Sequence, residues 1–129
     1  MFPHTITLFN VIKNGGKVIY QKTSIKDVFY YTSKIISEEG KGEKYSSTYH
    51  VIFSYEALCE YLKEKEFKVS ENKKDYFTLQ VNDIIVLGEF ESINDLSDIQ
   101  RSDAEYFLIK TISDNQYGET ILQNIEVTN

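Results

Sequence analysis

The sequence predicts a mainly β fold, a small β-barrel or sandwich of about seven strands with one amphipathic helix. Three observations carry that expectation. Apolar residues alternate with polar ones over several short stretches, the period of a strand with one buried face. Ten tyrosines and eight phenylalanines, a single proline and many Val, Ile and Thr residues suit a pleated, half-buried surface. Turn signals rich in Asn, Asp and Gly separate the stretches. At 129 residues the chain is one domain long and buries one core without staples.

Taken in order, Thr5 to Phe9 make a first strand, with Ile6 and Leu8 on one face and Thr5 and Thr7 on the other. Asn14-Gly15-Gly16 follows, a hairpin signal because such residues accept the positive φ of a tight turn, so a second strand starts near Lys17. From Lys17 to Tyr31 the pattern outlasts one flat strand. A bend near Thr23 would let it serve two sides of a barrel. The charged, glycine-bearing stretch from Ser33 to Ser46 has little to bury and reads as a mobile loop tip.

Ser46 to Phe53 alternates again and reads as a strand. The period then changes: Leu58, Tyr61 and Leu62 fall three and four apart among charged residues, which predicts an amphipathic helix over Tyr55 to Glu64 with Ser54 as its N-cap. Phe67 to Lys74 is a polar connection. Next come Phe77, Leu79 and Val81 in one phase, a turn at Asn82-Asp83, and the unbroken apolar run Ile84 to Leu87 ending at Gly88. Strand, polar step and fully buried strand predict a hairpin-like centre. Asp95 to Gln100 predicts one helical turn capped by Asn94. Ala104 to Ile112 reads as a strand, 114–118 as a turn and Glu119 to Val127 as the closing strand.

Net charge is −6 and Arg101 is the one arginine, which argues against a phosphate-binding surface and general nucleic-acid affinity. The lone Cys59 cannot form an internal disulfide, and no apolar run approaches the roughly 20 residues of a spanning helix. A soluble, unexported product with no membrane contact is the expectation.

No residue pattern points to catalysis, a metal or a cofactor. His4 and His50 lack partners at zinc-ligand spacing, and Cys59 reads as a small buried hydrophobe beside Leu58 and Leu62. The acids Asp83, Glu89, Glu91, Asp95 and Asp98 read as solvated or turn residues, Asp83 being explained by its turn. Gly40-Lys41-Gly42 lacks the spacing of a phosphate loop. The tyrosines outnumber what one small core can hold, so some lie at the surface, either as ordinary sheet-surface residues or at a protein contact.

Two groups of residues resemble the small minor capsid or head-closure (head-tail connector) proteins of tailed bacteriophages and prophages. One is Pro3-His4-Thr5-Ile6-Thr7-Leu8-Phe9-Asn10 with Gly16 to Tyr20, Thr23 and Val28-Phe29. The other is Phe77-Thr78-Leu79-Gln80 through Asp83 to Glu89, then Ile109-Lys110-Thr111-Ile112 and Glu126-Val127. The resemblance implies a structural, non-enzymatic β-barrel-like subunit in a homo-oligomeric ring, monomeric when alone. Its partners would be the portal or adaptor and tail-completion proteins, and its location the virion, with the host cytoplasm during assembly.

The contact segments under that resemblance are the 35–45 loop, with Glu38, Glu39, Lys41 and Tyr45, and the 93–102 connection, with Ile93, Leu96 and Arg101. Glu38 and Glu39 would face the DNA channel, where carboxylates repel phosphates. A stand-alone β-barrel binding domain for a peptide or glycan, monomeric with its tyrosines in one groove, is the alternative.

Overall fold

The computed structural model describes residues 3–39, 42–71, 73–115 and 124–129. Seven strands form one antiparallel sheet. They are β1 (His4–Asn14), β2 (Lys17–Glu39), β3 (Gly42–Ser54), β4 (Ile84–Leu87), β5 (Tyr106–Leu108), β6 (Thr111–Asn115) and β7 (Asn124–Thr128), in the order β5-β4-β1-β2-β3-β7-β6. The two outermost strands are neighbours in sequence, separated only by Ile109 and Lys110. That short link reaches both edges: the Ile109 amide donates to the Asp83 carbonyl at 2.9 Å and the Lys110 amide to the Thr128 carbonyl at 2.8 Å. The sheet therefore curls into a half-barrel around its inner face.

The alternation in β1 sets the two layers of packing. Ile6 and Leu8 point inward and meet Ile25, Val28, Val51, Phe53, Ile85, Phe107, Ile125 and Val127. Phe9 points outward, yet it is also fully buried, under Ile84, Val86, Ile93 and Ile99. The cover is the connection after β4, which carries a short helix α2 (Leu96–Gln100). Asp95 caps α2, accepting from the Leu96 amide at 2.8 Å, while the Asp98 carboxylate accepts from the Asp95 amide at 3.3 Å. The expected helical turn is present, capped by Asp95 in place of Asn94.

The first hairpin forms as expected, with Gly15 and Gly16 at φ 56° and 83° between Asn14 and Lys17. The bulge in β2 sits at Asp27 rather than Thr23. His4 pairs with Val28 and Thr5 with Lys26, leaving Asp27 unpaired at φ 61°. Aspartate tolerates that left-handed conformation, and the Ser54 hydroxyl donates to its carbonyl at 2.7 Å.

Other expectations are corrected. The stretch 77–81 is no strand: Phe77, Thr78 and Leu79 are buried in succession, and Phe77 makes one isolated parallel bridge to Tyr61. β4 pairs with β1 and β5 instead of folding back on 77–81. The helix over Tyr55 to Glu64 is divided, because Leu62 and Glu60 give their backbone groups to Phe77 at 2.8 and 3.0 Å. Within that span a turn of 3-10 helix forms at Glu56–Leu58, where the Ser54 hydroxyl accepts from the Ala57 amide, and α1 (Glu64–Val69), anchored by buried Phe67, starts at its last residue and runs into the stretch expected as a polar connection. Cys59 is exposed rather than buried. The supposed loop from Ser33 to Ser46 is strand on both sides of residues 40 and 41.

The strand expected over Ala104 to Ile112 breaks at Ile109-Lys110, where the chain passes from one sheet edge to the other. Asp114 and Asn115, expected in a turn, extend β6. The expected closing strand is present over Asn124–Thr128, and residues 116–123 lie outside the described residues.

Because β1 is buried on both faces, Phe9→Ala should cost about 3–5 kcal/mol. Val18→Ser, at an exposed hairpin position, should change stability by no more than about 0.5 kcal/mol. Urea unfolding of the two variants measures the contrast.

Candidate functional site

Beyond Val28, β2 has left β1, and β3 meets β7 only from His50 onward. Between those points, among the described residues, β2 and β3 pair only with each other, from Thr32↔Tyr49 to Glu39↔Gly42. At about 3.3 Å per residue the ribbon projects roughly 25 Å from the curled sheet. Tyr49 at its base stacks on Phe107 with centroids 5.5 Å apart, and beyond it polar and charged residues dominate the ribbon's sequence. Its two edges offer the backbone groups of an unfinished sheet.

A ladder of rings marks the base of this arm. His4 stacks on Phe29 with centroids 5.3 Å apart, Phe29 leans on Tyr31 at 5.8 Å, and Tyr31 lies parallel to His50 at 4.4 Å. Phe29 and Tyr31 are 37% and 40% exposed, a paired aromatic surface on the outer face of the sheet. The His4 ring is fixed by the Tyr30 amide, which donates to its Nδ1 at 3.1 Å.

His50 joins three strands. Its Nε2 is 2.9 Å from the Ser33 hydroxyl on β2 and its Nδ1 is 2.9 Å from the Glu126 carboxylate on β7. Hydroxyl, imidazole and carboxylate in series are the parts of a nucleophilic relay. Here they lie along an open sheet face, and neither described cleft is lined by any of them. The arrangement works as a cross-strand tie that holds the arm's base to β7.

The opposite end of the sheet is closed by Asp83. Its carboxylate accepts from the Asn10 side-chain amide at 2.7 Å, the Val11 amide at 3.0 Å and the Gln80 amide at 3.1 Å. Asn10 also donates to the Thr78 carbonyl at 2.6 Å. These contacts pin buried Phe77, Thr78 and Leu79, with half-buried Gln80, under the inward face of β1. Burial pushes the Asp83 carboxyl up to about 6, and the three donors, which favour the ionised form, pull it only part of the way back. An open cleft of about 1180 Å³ lies beside this latch, between the first hairpin, the end of α1 and the 80–83 turn. Its rim mixes Lys13, Lys68 and Lys73 with Glu71 and Asp75.

The expected contact residues fare unequally. Glu38, Glu39 and Tyr45 fall on the arm's strands, their side chains outside the described part, and Lys41 lies outside the described residues altogether. Arg101 is exposed at the end of α2, whereas Leu96 is half-buried. Ile93 is withdrawn as a contact, because it is only 7% exposed and packs in the outer core with Phe9 and Ile99. Asp83 is a structural latch rather than a simple turn residue. Asn10, a polar residue in phase with Ile6 and Leu8, was the signal in the sequence that a buried polar partner existed. Among the described residues no three His, Cys, Asp or Glu side chains converge as a metal site, and no helix is long and apolar enough to cross a membrane.

Fold and site together define a small curled antiparallel β domain with a projecting two-stranded arm. The chain belongs to a family of unknown function, DUF6751, which matches it over residues 1–129. No curated protein and no solved structure matches it.

An unfolded aspartate releases its proton near 3.8 and Asp83 near 6, so the folded state binds this proton more tightly. The contribution of Asp83 to stability is therefore greatest below 3.8, falls as the pH rises to about 6 and is flat above that. The fall should be on the order of 2–3 kcal/mol. Urea unfolding across this window should show it in the wild type, and Asp83→Asn should lack that component.

Proposed function

We propose that this protein is a structural, non-enzymatic subunit of a head-closure ring in a tailed phage or prophage, joining the portal or adaptor to the tail. The observation that carries the reading is the arm: paired backbone extending roughly 25 Å past the core, with neither edge paired to another described strand. A monomer gains nothing from such a ribbon. A ring subunit uses it to add strands to a neighbour or to a portal loop. The sequence resemblance to head-tail connector proteins supports the same role, and it spans both ends of the chain, from Pro3 to Phe29 and from Phe77 to Val127 in separate pieces.

Glu38, Glu39 and Glu43 sit in the last pairs of the arm. With the arm directed at the ring's axis, their carboxylates repel passing phosphates and keep the channel slippery. The virion is the place of action in this reading, with assembly in the host cytoplasm.

The aromatic ladder at the arm's base favours a second reading, a stand-alone domain that binds a peptide or glycan on Phe29 and Tyr31. Such a domain would keep its binding when the arm is cut back.

Replacing residues 33–48 by an Asn-Gly turn closes the ribbon at Thr32↔Tyr49 and leaves both cores intact. The shortened chain should fold and lose at least about tenfold in affinity for portal or adaptor particles in co-sedimentation. Undiminished binding, or no binding by the wild type, would count against the connector role.

A further inference from the structure

β1 ends in opposite charge at its two poles. Its pairing with β4 stops at Phe9↔Ile84, and past that point the β1–β2 hairpin runs on to its glycine turn. Lys13 and Lys17 are exposed there, and Val18 and Ile19 stand 46% and 48% exposed beside them. No acidic residue precedes Asp27 in a chain that holds 20.

At the other pole the connection between β4 and β5 starts at Gly88, whose amide donates to the Thr5 carbonyl at 3.1 Å, and returns at Glu105, whose carbonyl accepts from the Leu87 amide at 2.9 Å. It presents Glu89, Glu91, Asp103 and Glu105, all exposed. Lys26 and Arg101 are cations on that side, and exposed Glu71 and Asp75 and buried Asp83 are the acids that share the cleft with the hairpin, beside Lys68 and Lys73.

A strand rises about 3.3 Å per residue, so Lys13 stands roughly 25 Å along β1 from Thr5, beside which the connection starts at Gly88. Charges are largely screened beyond about 8–10 Å at physiological salt, so the poles do not neutralise each other within one molecule. Two molecules aligned head to tail can bring them together. Half-buried Phe90 and Leu96 on the acidic connection give Val18 and Ile19 an apolar surface to cover.

We infer that the basic, apolar-tipped hairpin of one copy docks on the acidic β4–β5 connection of the next. The contact rests on the ring reading and supplies its lateral, subunit-to-subunit surface. Because two different patches meet, each copy keeps one of each free, and the chain of contacts closes when the rotation divides a circle. Duplex DNA is the competing occupant of the lysines. The hairpin has no arginine, and its tip is aliphatic, which favours a protein surface.

Isotopically light and heavy copies, mixed at high concentration in low salt and joined with a zero-length carboxyl-to-amine cross-linker, test the contact by mass spectrometry. Light-to-heavy links from Lys13 or Lys17 to Glu89, Glu91, Asp103 or Glu105 are expected. K13E/K17E and E89K/E91K should each weaken self-association about tenfold or more in sedimentation, and mixing the two variants should restore it. Circular dichroism confirms that each variant keeps its sheet.

Absence of self-association, links confined to one copy or to other surfaces, or indifference to both reversals overturns the inference. So does retention of duplex DNA that K13E/K17E abolishes in the absence of copy-to-copy links. Binding of the wild type to portal particles separates the two readings. Portal binding without these links leaves the ring and removes this contact, whereas the links without portal binding leave the contact and remove the ring.

Discussion

The structure depends on β1 being buried on both faces. Most strands of an antiparallel sheet turn one face to water, but here Ile6 and Leu8 fill the inside of the curl while Thr7 and Phe9 lie under the β4–β5 connection. A slip of one residue would exchange the two faces, putting threonine into the inner core. The Thr7 hydroxyl reinforces the register, donating to the Gly88 carbonyl and accepting from the Phe90 amide, each at 2.9 Å. One side chain thereby fastens the outer cover to the strand it protects.

The Asp83 latch applies a similar economy at the end of the sheet. A carboxylate at 1% exposure is costly to desolvate, and its three donors compensate only in part. What it secures is the irregular 77–80 stretch, which otherwise would leave its backbone groups facing apolar surface. The latch and β1 lie at the centre of a core that β2, β3, β4, β5 and β7 complete. The hairpin tip and the arm project from that core, which leaves both free to serve as contact surfaces.

Much of this was legible in the sequence where local pattern and local structure agree. Strand period identified β1, the Gly15-Gly16 turn gave the first hairpin, and the apolar run 84–87 gave a strand buried on both sides. Elsewhere the deciding contacts are distant. Phe77, Leu79 and Val81 alternate, but Phe77 and Leu79 are drawn under β1 by Asn10 and Asp83 while Val81 is left 55% exposed. The helical spacing of Leu58, Tyr61 and Leu62 yields to the bridge between Tyr61 and Phe77. The charged stretch after Ser33 carries few apolar residues and two glycines, a loop-like composition, yet it pairs as strand on both sides of residues 40 and 41. Backbone pairing between two strands can proceed without a periodic apolar signal in the sequence. The tie between Ser33, His50 and Glu126 is likewise invisible until three strands lie side by side.

Native-state hydrogen exchange on the isolated chain tests most directly the claim that β1 is the scaffold and the arm an unfinished edge. The account predicts that amides of Ile6 to Phe9 and Ile84 to Val86 exchange only on global unfolding, while those of the 33–47 ribbon exchange through local opening at far lower cost. Arm amides as slow as those of β1, or β1 amides that exchange as freely as the ribbon, would contradict it.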